Sequence, residues 1–288
     1  MDGKHNTMNK NKLLLTFLLF LLLAGKTFSQ ELVIDQMNRI QRLIQMGNYE
    51  SAIEYAKDLG DDVKCGKNEI LGYCYYQLSK YKSAIVHYEQ YIEYCESSSV
   101  QRINLGDSYS KTNQPNKAKE QFLFVNQSDR NYSLAQFNIG VVEYNQGNKE
   151  EAVTRFTAAI NNTKNGGLDF DYVEMQIKAL VELKKFDSAF ESIDSILKIW
   201  RKDTLEYKYT LIIKSTIFGG KKEYQKAIKM LDDVIDSGID HEAVLFDAYY
   251  FKLDFYSKMK NMGKACIMYQ KLKDLRPEAQ VLKKYKCG

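Results

Sequence analysis

Three histidines, five cysteines and a few adjacent carboxylates are the side chains of this 288-residue sequence most able to do chemistry. General acid–base catalysis needs such groups to converge on one substrate. Glu150-Glu151, Asp232-Asp233 and Asp61-Asp62 are neighbours in sequence, and neighbours on a helix point in different directions, so they do not share a substrate proton. His87 lies in Ile85-Val86-His87-Tyr88-Glu89, which reads as a surface or groove-edge position, and His241 follows Asp240 where a loop or helix cap is expected. The sequence contains no G-x-S-x-G, no H-E-x-x-H, no phosphate loop and no dinucleotide fingerprint. Cys65, Cys74, Cys95, Cys266 and Cys287 include no Cys-x-x-Cys pair, which argues against zinc. The expectation is a protein without catalytic residues, cofactor or metal, whose function lies in its surface.

The elements beneath that surface read as helical. No sustained period-2 run marks a strand, and only two prolines interrupt the chain. Alanine recurs at Ala52, Ala84, Ala118, Ala152, Ala189, Ala227 and Ala265, with successive spacings by subtraction of 32, 34, 34, 37, 38 and 38. Four residues later stand Tyr88, Phe122, Phe156, Ile193, Leu231 and Tyr269, and three residues before are Tyr49, Tyr81, Phe186 and Tyr224. Residues three and four apart share a helical face, so each alanine is the small member of an apolar stripe that lets another helix approach closely. A fixed period of about 34 residues is the mark of stacked helical repeats.

Leu71-Gly72 with Tyr75, Leu105-Gly106 with Tyr109, and Ile139-Gly140 with Tyr144 precede three of these alanines. Together the halves resemble the tetratricopeptide repeat, whose pattern includes L-G-x-x-Y in a first helix and A-x-x-x-F in a second. In the fourth unit the tyrosine falls one place late; the last three units match mainly in their second helices, and only the last keeps a closing proline, Arg276-Pro277. The resemblance implies an all-α, right-handed superhelical solenoid of about seven helix–turn–helix units, from about Val33 to Pro277, with a C-terminal capping helix. The expected boundaries are a signal peptide at 1–29, an array of about four units at 30–160, a joint at 161–169, a divergent array of about three units at 170–277, and a capping helix and tail at 278–288. Asn161-Asn162-Thr163-Lys164-Asn165-Gly166-Gly167 marks the joint by its turn-forming composition, and Gly219-Gly220 is read as lengthening the turn inside the sixth unit. Val281, Leu282 and Tyr285 share one face of the capping segment.

In such solenoids the first helices line the binding face. The repeat frame assigns to it Tyr73 and Tyr76, then Asn104, Asp107 and Lys111, then Phe137, Asn138, Val141, Tyr144 and Asn145, with Tyr250 and Asp254 further on. Aromatic rings give contact area at low entropic cost, and asparagine bonds a peptide backbone as donor and acceptor. An extended or helical segment of a partner protein is the implied ligand; stacking of tyrosines on sugar rings makes a glycan the alternative, and a regulatory subunit of an envelope enzyme is a third reading. The competing structural reading is that these aromatics fill the space between helices. Co-chaperones of this family that grip a C-terminal carboxylate use a basic clamp. Here Asn138 matches its middle position, but Ile103, Asp107, Asp171 and Met175 stand where the clamp's partners would be.

The repeat frame also bears on the cysteines. Cys65 falls near the first position of its unit and Cys95 near the last, and the antiparallel helices of a unit bring its ends together, so a Cys65–Cys95 disulfide is expected, with Cys266–Cys287 as a weaker candidate. The alternative is that these are reduced, buried apolar side chains. An odd cysteine count leaves at least one unpaired within the chain.

Ahead of the repeats, Lys4, Lys10 and Lys12 precede an apolar run from Leu13 to Ala24 and small residues at Thr27 and Ser29. This is the form of a secretory signal peptide, with cleavage expected after Ser29; the run falls short of the roughly 20 residues of a membrane span. An uncleaved anchor is the alternative, and either Met1 or Met8 serves as a start. Removing residues 1–29 takes away four of 41 basic and one of 37 acidic residues, leaving a net charge of +1. That balance carries no footprint for nucleic acid. The expectation is an exported, periplasmic or secreted protein with no membrane span after cleavage.

Overall fold

The computed structural model describes residues 33–163, 169–285 and 287. The expected signal peptide, the centre of the expected joint (164–168), Lys286 and Gly288 lie outside the described residues. Among the described residues the chain forms fourteen α-helices and two short 3-10 helices, without strands. The α-helices run as seven hairpins: α1 (33–45) with α2 (Tyr49–Lys57), α3 (Lys64–Gln77) with α4 (Tyr81–Tyr94), α5 (Ser99–Lys111) with α6 (Pro115–Leu123), α7 (Tyr132–Asn145) with α8 (Lys149–Asn161), α9 (Phe170–Glu182) with α10 (Phe186–Leu197), α11 (Leu205–Gly220) with α12 (Tyr224–Asp236), and α13 (Glu242–Lys258) with α14 (Met262–Leu275).

Three residues join the helices of every hairpin, and the middle one is left-handed: Gly47 (φ 73°), Ser79 (56°), Asn113 (61°), Gly147 (87°), Lys184 (59°), Lys222 (63°) and Lys260 (59°). Each donates its N–H three residues back, and the next residue donates five back, as Gly147 N does to Tyr144 O (3.0 Å) and Asn148 N to Glu143 O (2.9 Å). Those two bonds satisfy carbonyls that a helix end leaves orphaned. Each left-handed residue precedes a repeat alanine by five positions, so the alanine register is also the register of the turns. Three of the second helices carry start signals: Asn48 and Asn261 accept from Ser51 N and Lys264 N, and Pro115 occupies the first turn of α6.

All seven repeat alanines are fully buried. Opposite three of the second helices the first helix carries glycine, and a Cβ there would meet an aromatic ring. It would lie 2.9 Å from Tyr88 at Gly72, 2.5 Å from Phe122 at Gly106 and 2.6 Å from Phe156 at Gly140. Gly219-Gly220 corrects the sequence reading. Both belong to the last turn of α11, the turn that follows is no longer than the others, and the Cβ missing at Gly219 leaves room for Phe255 of α13, 2.2 Å away. Instead α11 itself is longer, with 16 residues against 13 or 14 in the first helices of the second to fifth hairpins.

Contacts divide the chain into two compact units, meeting between Asn131 and Tyr132. The segment at 161–169 does not separate them, because Val153 and Ile160 of α8 pack into the same apolar cluster as Val173 and Ile177 of α9. In the first unit, the residues after α6 are tied back to the start of α5: Asn131 Nδ2 donates to Ser99 Oγ (2.8 Å), and Ser99 Oγ donates to Asp129 Oδ1 (3.0 Å). In the second unit, the capping segment is a 3-10 helix, Gln280–Lys284, with Leu282 buried and Val281 and Tyr285 packed on the same cluster as Leu272.

Disulfides join Cys65 to Cys95 and Cys266 to Cys287, with Cα atoms 5.9 and 5.3 Å apart. The first closes the open end of the α3–α4 hairpin, and the second ties the capping segment to α14. Cys74 is the free thiol; it is buried, and burial pushes it up to about 11, which keeps it protonated and inert.

Two outcomes test this packing. Gly140→Ala should cost roughly 1–3 kcal/mol in chemical denaturation, because the α7–α8 pair must separate or the Phe156 ring must move, and adding Phe156→Leu should restore part of the loss. Cys65→Ser with Cys95→Ser should lower stability by roughly 3–4 kcal/mol through the entropy of an open loop, a loss that reductant reproduces in the native chain and does not enlarge in the variant.

Candidate partner-binding grooves

In the first unit, α1, α3 and α5 enclose a notch of about 360 Å³. Met37, Ile40 and Ile44 come from α1, Ile70 and Tyr73 from α3, and Val100 and Asn104 from α5, with Tyr88 of α4 at the base. Its polar groups are engaged among themselves: Gln101 Nε2 donates to Glu69 Oε1 (2.6 Å), and Asn104 Nδ2 donates to the Tyr88 hydroxyl (3.0 Å). The notch is therefore mainly apolar, with Gln101, Glu69, Asn104 and Tyr88 engaged with one another and Gln41 exposed at its rim.

Of the residues assigned from sequence in this unit, Tyr73 and Asn104 share the notch, although the Asn104 amide N–H is already used. Tyr76 and Asp107 pair with each other, the hydroxyl donating to Asp107 Oδ2 (2.8 Å), and burial together with this carboxylate pushes the phenol upward. Lys111 is exposed in the last turn of α5 and does not line the notch. His87 is structural: Nδ1 lies 2.9 Å from Asn68 Oδ1 and the ring stacks on Tyr75 at 5.5 Å. Burial, and then the nearby Lys67, push its imidazole below the ordinary value.

In the second unit, the fourth repeat spends its aromatics on packing. Phe137 stacks on Tyr172 at 4.6 Å and approaches Phe156 at 5.7 Å, and Val141 and Tyr144 pack on the same cluster around Ala152 and Ala179. They cement α7 and α8 to α9. The Tyr144 hydroxyl donates to Glu182, which also receives Lys149 Nζ at 2.7 Å. Burial, and then this carboxylate, push Tyr144 up to about 12, while Lys149 and Tyr144 hold Glu182 below the usual carboxylate range. Asn138 is partly buried and Asn145 exposed on α7.

The larger groove, about 850 Å³, runs over the first helices of the last three hairpins, α9, α11 and α13. Ile177 and Ile212 are buried in its floor, and Val181, Ile213, Thr216 and Phe251 flank them. Phe170, Tyr209 and Tyr250 are partly exposed along its walls. Asp171, Glu174 and Glu182 edge it from α9, Glu206 from α11 and Asp247 from α13, with Lys178 the single cation in the lining. Among the described residues no hydrogen bond or ion pair engages the carboxylates of Glu174, Glu206 or Asp247. Burial, then Asp171, push Glu174 above the usual carboxylate range despite its partial exposure, with Lys178 opposing. Burial does the same to Asp247, opposed by Arg276. His241 caps the start of α13 edge-on to Tyr209 (6.5 Å), and its Nδ1 is buried with no hydrogen-bond partner in the described structure. No three His, Cys, Asp or Glu side chains cluster as a metal site among the described residues.

Sequence reasoning assigned Tyr250 to a binding face and passed over the rest of this groove. Its signal is present on α9, where Asp171, Glu174, Lys178 and Glu182 recur at helical spacing beside Phe170, Ile177 and Val181. The last three first helices lack the leucine–glycine–tyrosine landmark that would have aligned them.

Models of the tetratricopeptide repeat match residues 69–98, 134–162 and 246–278, which correspond to the second, fourth and seventh hairpins. Solved structures agree in fold. The C-terminal part of a TPR repeat-containing protein from Cytophaga hutchinsonii is 19% identical, covers 86% of this chain and 98% of its own, and superposes with a TM-score of 0.67. A tetratricopeptide repeat protein from Parabacteroides merdae is 11% identical over 88% of this chain and 96% of its own, with a TM-score of 0.60. Pseudomonas aeruginosa pilF is 20% identical over 77% of this chain and 96% of its own, with a TM-score of 0.53. No curated protein matches. The chain carries tetratricopeptide repeats and shares the helical fold of solved tetratricopeptide-repeat proteins. Such repeats imply a scaffold for protein–protein interaction, and the fold is typically non-catalytic.

A raised carboxyl favours the folded state below its unfolded value, and that contribution is lost as pH rises through the folded value. Glu174→Gln and Asp247→Asn should therefore each raise the melting temperature at neutral pH and leave it unchanged well below the carboxylate range. Thermal melts across pH check the sign.

Proposed function

We propose that this chain is an exported interaction scaffold of a bacterial cell envelope that holds a segment of another protein along α9, α11 and α13. The observation that carries the reading is the groove itself: an apolar floor, aromatic walls and an acidic edge, with a volume in the range of pre-formed ligand sites. An interface core is apolar and aromatic within a polar rim, which is this arrangement. The notch between α1, α3 and α5 supplies a second, smaller apolar foothold. Export is supported by the basic, apolar and small-residue succession before Gln30 and by two disulfides, which persist in oxidising compartments. Among the described residues no helix is long and apolar enough to cross a membrane.

A photo-crosslinking residue at Tyr209, introduced in growing cells, should give a discrete protein adduct that is missing when the probe stands at the exposed Lys229 of α12. Equal labelling from both positions would remove the groove from the reading, and a carbohydrate adduct would transfer it to glycan binding. N-terminal sequencing of the same material should begin at Gln30; a chain retaining residues 1–29 in the cytoplasm would overturn export.

A further inference from the structure

Resting on the reading of the α9–α11–α13 groove as a docking surface, we propose that its occupant is a cationic, apolar polypeptide segment, with lysine or arginine side chains on the acidic edges and an aliphatic or aromatic side chain between them on the floor. The two edges belong to different helices. Asp171 and Glu174 stand on α9, Glu206 and Asp247 on α11 and α13, and Ile177, Ile212 and Ile213 lie between them. Cations flanking an apolar residue satisfy both edges at once.

Charge complementarity decides the class of occupant. The mature chain is nearly neutral, yet this lining holds five carboxylates and one lysine. Glu182 is already neutralised by Lys149, and the Lys149 ammonium is committed to it. Glu174, Glu206 and Asp247 have no such partner among the described residues. Glu174 and Glu206 are open to an incoming ligand, and Asp247 is half-buried beside the apolar wall, where an opposite charge brought close stabilises the ionised form more than it would in open water. An anionic segment would meet repulsion from both edges. The notch of the first unit differs, because its one lining carboxylate, Glu69, already accepts from Gln101. Cation selection therefore belongs to the second unit alone.

Fluorescence anisotropy on the disulfide-intact chain lacking residues 1–29 tests this with three labelled twelve-residue peptides. One alternates lysine with leucine and phenylalanine; the others carry glutamine or glutamate at every lysine. The lysine peptide should bind at least roughly tenfold more tightly than the glutamine peptide, the glutamate peptide more weakly still, and added salt should narrow the gap. Glu174→Gln with Asp247→Asn should reduce the lysine peptide to the level of the glutamine peptide while leaving the circular dichroism unchanged. Spermidine, a cation without an apolar face, should compete poorly; efficient competition would reduce the site to charge alone and overturn the proposal. Equal binding of the lysine and glutamine peptides would overturn the cationic class and leave the groove standing. Leu205→Trp, at an exposed groove position, separates the two failures, because peptide binding that survives this blocking side chain lies elsewhere and the docking reading fails with it.

Discussion

The close approach of two helices within each hairpin is the constraint on which the rest of this structure depends. In the second, third and fourth hairpins a glycine on the first helix faces an aromatic ring on the second, and a buried alanine stands four residues before that ring. A ring laid against bare backbone puts a large apolar surface where a Cβ would otherwise hold the helices apart. The fifth to seventh hairpins have no such glycine–ring pair within the hairpin. Gly219 receives Phe255 from the next first helix rather than from its own hairpin, which moves the tight contact from within a unit to between units.

A second regularity follows from the first. Helices that lie this close can be joined by three residues only if the chain reverses sharply, and the left-handed middle residue provides the reversal in all seven turns. Glycine fills only two of those seven positions. For the serine, asparagine and lysines at the others, the left-handed conformation costs on the order of 1–2 kcal/mol. The two backbone bonds of each turn, repeated without exception, offset that cost by capping carbonyls that would otherwise be unpaired.

The groove over α9, α11 and α13 sits on this scaffold and breaks its economy. Elsewhere charged side chains find partners, as Arg155 does on Glu151 and Lys252 on Asp232. In the groove, Glu174 and Asp247 stand beside apolar walls and are left unpaired, at some expense in stability. Binding sites commonly keep such unsatisfied groups where a purely structural surface would not. The disulfide at Cys266–Cys287 holds the capping segment against the last hydrophobic cluster, so the hairpin that carries Asp247 and Tyr250 is closed on its far side.

The number of units, their register, the helical class and the pairs of helices were all legible in the sequence, because they rest on interactions between residues three, four or five apart. Ala52 through Ala265 report those local relations directly. The resemblance to a known repeat placed Cys65 and Cys95 at the two ends of one hairpin, where the fold joins them. Tertiary structure alone decided the use of each exposed-seeming side chain. Phe137 and Tyr250 stand at the same first-helix register, fifteen residues before their repeat alanines by subtraction, yet Phe137 became packing between α7, α8 and α9 while Tyr250 walls a groove. It also decided that the chain divides after Asn131 rather than at the glycine-rich segment, and that Glu174 and Asp247 stay unpaired. Those outcomes depend on how helices more than thirty residues apart in sequence pack, and no local periodicity carries that information.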